Sequence, residues 1–245
     1  MKKAILFAFL CAFAWGVGAQ SDFELFASGS LKQIQDAVKK GVPVNQKGLN
    51  GRRPLMTAAE YNPDPEVIDF LLKSGAKIDD KDTAGMTALM FAVQSNKNPK
   101  VAEALIKAGA KLEDKDLSGN TPLLIALRTD KSLELVQLLL KSGSRIDALD
   151  KDGLTCLMAS AAYGTRPEVI TALIKAGAKV DQATAEGVTA LMCAAAYTSN
   201  PETVTALLKA GASKKLKDKA GFTAADYAKD NPAMQGTAAL KELMK

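Results

Sequence analysis

The sequence predicts an all-α solenoid of stacked helix-turn-helix units joined by projecting hairpin-like loops. A glycine opens a segment at Gly51, Gly85, Gly119, Gly153, Gly187 and Gly221, each 34 residues after the last. Threonine follows two residues later in every case but the first, where Arg53 takes its place. A second glycine closes the apolar part of each segment at Gly75, Gly109, Gly143, Gly177 and Gly211. Between the two glycines lie two short apolar patterns of helical period, too short to be stable alone, so each must be buried against the segments before and after it.

Met1-Lys2-Lys3, the apolar run Ala4 to Trp15 and the small residues Val17-Gly18-Ala19 have the three parts of a secretory leader, and cleavage is expected after Ala19. The apolar run is short for a membrane span, which leaves a retained anchor as the alternative and no stable span after cleavage. Cys11 lies inside the run without the small-residue approach of a lipoprotein cysteine, so lipidation is disfavoured. Residues 20–50 read as a degenerate N-terminal capping repeat, with helices near Phe23 to Ala27 and Leu31 to Lys40.

Residues 51–220 hold five full repeats. In the first, Pro54 to Tyr61 reads as a short helix with Leu55, Ala58 and Ala59 facing a core. Asn62, Asn96, Asp130, Gly164 and Thr198 follow these first helices, and four of the five are residue types that tolerate a left-handed helix end. The second helix carries a fuller start signal. Asp64, Asn98, Ser132 and Asn200 can cap free N–H groups, proline follows at 65, 99, 167 and 201, and Glu66, Glu134, Glu168 and Glu202 suit the positive end of the helix dipole. This helix is expected to bury Val67, Ile68, Leu71 and Leu72, echoed by Val169, Ile170, Leu173 and Ile174. The chain then runs through an extended stretch into an Asp-x-x-Gly turn such as Asp82 to Gly85, which predicts a projecting loop. Residues 221–245 read as a C-terminal capping repeat, in which Asp226 and Lys229 replace residues that an inner repeat keeps apolar.

These phrases, among them Gly85-Met86-Thr87-Ala88-Leu89-Met90-Phe91-Ala92 and Leu207-Leu208-Lys209-Ala210-Gly211-Ala212, resemble the ankyrin repeat, in the form of exported bacterial proteins with 34-residue repeats. The resemblance covers nearly all of the chain after the leader. The family's histidine, which ties neighbouring loops by hydrogen bonds, is replaced by Met56, Met90, Leu124, Met158 and Met192, so apolar packing is expected to substitute for that tie. An extra residue adds the proline before the second helix and lengthens the turn there.

Removing Lys2 and Lys3 with the leader lowers the formal charge from +5 to +3, and lysines alternate with acids through every repeat. That pattern argues against nucleic-acid binding, which needs basic residues gathered on one face. Histidine is absent and only Cys156 and Cys193 remain after the leader, so no metal site and no cofactor are expected. The two cysteines occupy different offsets in neighbouring repeats and are read as small packed residues, not a bridge. Glu60 is the sort of acid that could serve as a base. No nucleophile beside a base and no phosphate-binding glycine loop accompany it, and the chain reads as a non-enzyme.

The resemblance implies a concave groove lined by the first helices and the loops. Carried over position by position, its exposed side presents Thr57, Glu60 and Tyr61; Phe91, Gln94 and Ser95; Ile125, Arg128 and Thr129; Ala159, Ala162 and Tyr163; and Cys193, Ala196 and Tyr197. Tyr61, Phe91, Ile125, Tyr163 and Tyr197, with Gln94 and Arg128, are the expected partner-binding residues, because exposed aromatic and aliphatic groups anchor interfaces. Packing between helices is the other reading of Phe91 and Ile125. Acids and lysines at the loop tips, such as Asp79, Asp80 and Lys81, read as a solvated ladder. Lys73, Lys107, Lys141, Lys175 and Lys209 sit where a cation complements a helix C-terminus. Together these features suggest a monomeric, periplasmic protein that grips another protein, as the helper of an enzyme or as an immunity protein against a toxin. A secreted host-directed effector and a structural spacer of the cell envelope are the alternatives.

Overall fold

Each repeat folds as two antiparallel helices followed by a loop, and local residue types account for where most of the helices begin. The computed structural model describes residues 17–129, 132–163 and 166–245, with side chains from Asp22 onward. The expected leader up to Gly16, Cys11 within it, and the expected helix ends Asp130 and Gly164 lie outside the described residues. Two compact units divide the chain, Met1–Lys111 and Leu112–Lys245.

The N-terminal unit contains α1 (Val17–Ser28), α2 (Leu31–Lys39), α3 (Pro54–Tyr61), α4 (Pro65–Lys73), α5 (Ala88–Ser95) and α6 (Pro99–Lys107). First helices pack on first helices, α1 on α3 and α3 on α5, while α2 packs on α4 and α4 on α6. The buried residues Phe26, Ile34, Leu55, Met56, Ile68, Leu71, Met90 and Leu105 fill the space between these rows. The C-terminal unit repeats the scheme with α7 (Pro122–Arg128), α8 (Leu133–Lys141), α9 (Cys156–Tyr163), α10 (Pro167–Lys175), α11 (Ala190–Tyr197), α12 (Glu202–Lys209), α13 (Ala224–Lys229) and α14 (Ala238–Met244). Here α7, α9, α11 and α13 form one row and α8, α10, α12 and α14 the other. Among the described residues the only strand-like pairings are the isolated antiparallel bridges Leu149 to Thr155 and Ala183 to Thr189.

The helix starts follow the sequence closely. Thr87, Thr121, Thr155, Thr189 and Thr223 each accept a hydrogen bond from the backbone N–H three residues on. Asp64 and Asn98 cap Glu66 and Lys100, Asn200 caps Glu202, and Ser132 caps Leu135. The second helices end on glycines with φ between +91° and +101°, a conformation open to glycine at little cost.

The ends of the first helices differ from expectation. Asn62, Asn96 and Thr198 are extended, with φ near −79°, −66° and −63°, not left-handed. The reason is that the asparagine side chains are wanted elsewhere. Asn96, buried, donates through Nδ2 to the carbonyls of Ala59 and Asn62, both at 2.9 Å, and its Oδ1 accepts the N–H of Asn98. Asn62 does the same toward Phe26 and Gly29, and in the C-terminal unit Asn231 does so toward Ala195 and Thr198. A buried polar rung therefore ties a repeat to its predecessor where apolar packing alone was expected. The methionines in the histidine position are buried as well, and Met90 adds a sulfur acceptor at 3.4 Å from the Thr87 N–H. Leu72 and Ile174, expected inside, are only half-buried.

Loops are tied in the same fashion. Asn45, Asp79, Glu113 and Asp181 each accept the N–H of a residue 32 positions later, Lys77, Lys111, Arg145 and Ser213 respectively. The loop acids at these positions are thus hydrogen-bonding partners of the next loop and not merely solvated charge. Asp82, Asp116 and Asp150 fold each turn by accepting two N–H groups two and four residues ahead.

Candidate partner-binding faces

In a first helix of eight residues, positions one turn apart face the same way, and the position after the last buried turn must point outward. In the N-terminal unit that outward position is Tyr61, which is about half exposed, and Gln94 is exposed beside it in the next repeat. Tyr61 meets Phe23 edge-on with ring centroids 5.8 Å apart. Phe91 does not line the surface: it is 7% exposed, and the Arg52 guanidinium covers its ring at 4.2 Å. The same guanidinium lies 5.9 Å from the Tyr61 ring and is ion-paired with Glu60. Glu60, the acid that could have acted as a base, is therefore the partner that holds Arg52 flat over two aromatic rings. A cation so placed over aromatic faces contributes about 0.5–2 kcal/mol.

In the C-terminal unit Ile125 is likewise a correction, at 5% exposed on a helix, α7, that packs against α9. Ala159 and Cys193, at the matching offset, are buried, as is Thr57 in the N-terminal unit. Arg128 keeps an outward path and uses it in a defined way. Its Nη1 donates to Asp150 Oδ2 at 3.1 Å, its guanidinium carbon lies 4.7 Å from the Tyr163 ring centroid, and its Nη2 reaches the Tyr163 hydroxyl at 3.4 Å. Tyr163 is half-exposed, and Tyr197 is 72% exposed. Ala162 and Ala196, one residue before these tyrosines, are half-buried. Phe222, exposed, extends the apolar surface and lies 6.0 Å from the Tyr227 ring. Tyr227 donates to Asp218 Oδ2 at 2.5 Å, which pushes its own hydroxyl up to about 12 and holds the Asp218 carboxyl below the ordinary carboxylate range.

Of the expected residues, then, Tyr61 and Gln94 lie on an exposed face of one unit, and Tyr163 and Tyr197 with Arg128 on an exposed face of the other. Phe91 and Ile125 support those faces from beneath. Arg52, Asp150 and Phe222 belong to the faces and were not foreseen. Arg52 and Phe222 share one repeat position, filled elsewhere by Met86, Asn120, Leu154 and Val188, so no column pointed to them.

Burial pushes the Cys156 thiol up to about 12 and the Cys193 thiol up to about 11, which leaves both protonated and unreactive as nucleophiles. Both cysteines are free. Among the described residues no group of three or more His, Cys, Asp or Glu side chains is placed to hold a metal ion, and no helix is long and apolar enough to cross a membrane.

Residues 25–116, 55–150 and 123–218 match, in three overlapping copies, the family model described as ankyrin repeats. Among solved structures, the human ASB11 ankyrin repeat domain is similar over 91% of this chain and 96% of that one, at 25% sequence identity and a TM-score of 0.79. No curated protein sequence matches the chain.

Proposed function

Because the chain belongs to the ankyrin-repeat family, we propose that it is a non-catalytic binding protein that holds another protein against the exposed sides of its first helices. Ankyrin repeats are generally protein-interaction modules, and the arrangement of Tyr163 and Tyr197 is the observation that favours this use here. Two exposed rings stand at one repeat position, and an arginine fixed by Asp150 orients the first of them. Such a surface offers large apolar contact with little side-chain entropy left to lose on binding. Tyr61 and Gln94 would serve in the same way in the N-terminal unit.

We place the protein outside the cytoplasm, in the periplasm, as a helper of an enzyme or as a toxin-immunity protein; the Met1 to Ala19 pattern supports export. The test is affinity capture with the mature chain from a periplasmic extract of the producing cells, followed by mass spectrometry. Replacing Tyr163 and Tyr197 together with alanine should abolish capture of a stoichiometric partner while helicity stays unchanged. Undiminished capture by that variant would remove the tyrosines from the reading. A non-specific pellet from both forms would argue for a spacer.

A further inference from the structure

One loop junction in the C-terminal unit breaks the pattern that the others keep. Asn45, Asp79, Glu113 and Asp181 each accept the N–H of the residue 32 positions on. Asp147 occupies the same place in its loop and does not. Its two oxygens are taken by Nε and Nη2 of Arg145, both at 3.1 Å. The other acidic rungs have lysine two residues before the acid, at Lys77, Lys111 and Lys179, and a point cation does not fork onto a carboxylate as a guanidinium does. The N–H that Asp147 would have satisfied, that of Lys179, has no acceptor among the described residues.

A cavity of about 420 Å³ opens at this junction, lined by Arg145, Ile146, Leu149, Leu157, Lys179 and Gln182 among others. Its size is that of a small-molecule pocket. Two cations, Arg145 and Lys179, line it against the single carboxylate of Asp147, and Ile146 and Leu149 supply an apolar wall.

We propose that this cavity binds a small monocarboxylate with a short aliphatic tail, whose carboxylate accepts the Lys179 N–H and whose tail lies on Ile146 and Leu149. The carboxylate completes the rung that Arg145 has opened by drawing Asp147 aside. This site is separate from the tyrosine face and does not depend on the binding role given to that face.

The experiment is a titration of the full chain with hexanoate at constant ionic strength, followed by ¹H–¹⁵N and methyl correlation spectra, with hexanol as the uncharged control. Hexanoate should shift the Lys179 amide and the Ile146 and Leu149 methyls saturably, and hexanol should leave the amide unmoved. In Arg145→Lys the side chain keeps its charge but releases Asp147 to the Lys179 N–H, so hexanoate should bind about tenfold more weakly, the worth of one charge-assisted hydrogen bond. Asp147→Ala should change affinity in the opposite direction, because it removes the competing carboxylate. An unmoved Lys179 amide in the parent protein overturns the proposal. So does equal binding by Arg145→Lys, or binding by Asp147→Ala that is no tighter than that of the parent.

Discussion

Arg128 Nη1 stands 3.1 Å from Asp150 Oδ2, and the two residues join a first helix to the loop that follows its repeat. The Asp150 side chain is 1% exposed, and its other oxygen is already committed to the N–H groups of Asp152 and Leu154. A single carboxylate thus shapes a turn and positions a surface arginine against Tyr163.

Asp150→Ala is expected to cost about 2–3 kcal/mol, somewhat below the range for a fully buried pair because Arg128 keeps access to water. Urea denaturation followed by circular dichroism measures it. Tyr163→Phe, which touches only the outer edge of the cluster, should shift the midpoint little, and equal losses in the two variants would contradict the hierarchy.

Asn96→Leu removes two donors and one acceptor from the interior and leaves the carbonyls of Ala59 and Asn62 without a partner. A loss of about 2–4 kcal/mol follows from stranding buried polar groups. Asn96→Asp should be as harmful, since it keeps the acceptor for Asn98 but loses both donors. Thermal unfolding of the two variants decides whether the donors matter.

Gly119 and Gly177 separate backbone conformation from crowding. Both have positive φ, +78° and +100°, but a Cβ on Gly119 would lie 2.7 Å from the Lys151 backbone nitrogen while one on Gly177 meets nothing within 4 Å. Gly177→Ala should therefore cost only the left-handed penalty of about 1 kcal/mol. Gly119→Ala must in addition push two loops apart and should cost at least twice as much, read as a difference in urea midpoint.

Tyr227 and Asp218 predict opposite losses at the two ends of the pH scale. Tyr227 has its folded value raised to about 12, so its contribution is intact below pH 10 and is lost as pH rises through 12. Asp218 and Asp226 are held below the ordinary carboxylate range, by Tyr227 and by Lys229 with Thr223 respectively, so their contribution is present above about pH 4 and is lost as pH falls below it. Absorbance of tyrosinate near 295 nm follows the alkaline limb. In Asp218→Asn the late-titrating tyrosine should move back toward 10, and an unchanged titration curve would show that Asp218 is not the cause.

Cys156 and Cys193 should be inert to a thiol-specific reagent at pH 8 in the native protein and react together once it is unfolded. Both are buried and protonated far above neutral pH. Fast labelling of either cysteine without denaturant would place it at the surface.

How much of this was readable in advance depends on how far each interaction reaches along the chain. Thr87, Asp64 and Gly75 act on groups a few residues away, so residue type and spacing were enough to give them their roles. The rung made by Asn96 joins it to Ala59 and Asn62, and nothing in the local sequence distinguishes that use from a helix end. Among the candidate binding residues, Tyr163 and Tyr197 were visible because they recur at one position. Phe91 and Ile125 were misplaced because helical spacing gives a direction around the axis, while the row of neighbouring first helices covers more than half of that circumference. Arg52, and the Asp150 partner of Arg128, were obscure for a further reason: each arginine does its work through an acid, Glu60 or Asp150, from a different part of the repeat.

The asparagine rungs also have a polarity. In all three the donor lies later in the chain and the acceptor carbonyls 33 to 37 residues earlier, as from Asn96 back to Asn62 and Ala59. At these rungs a chain growing from its N-terminus therefore presents carbonyl oxygens to the repeat not yet made. An unpaired carbonyl is tolerated better than an unpaired N–H, since it has two lone pairs and is more easily met by water. At each of these three junctions the later repeat brings the donor, so none of these buried side-chain amides waits for a partner still to be synthesised.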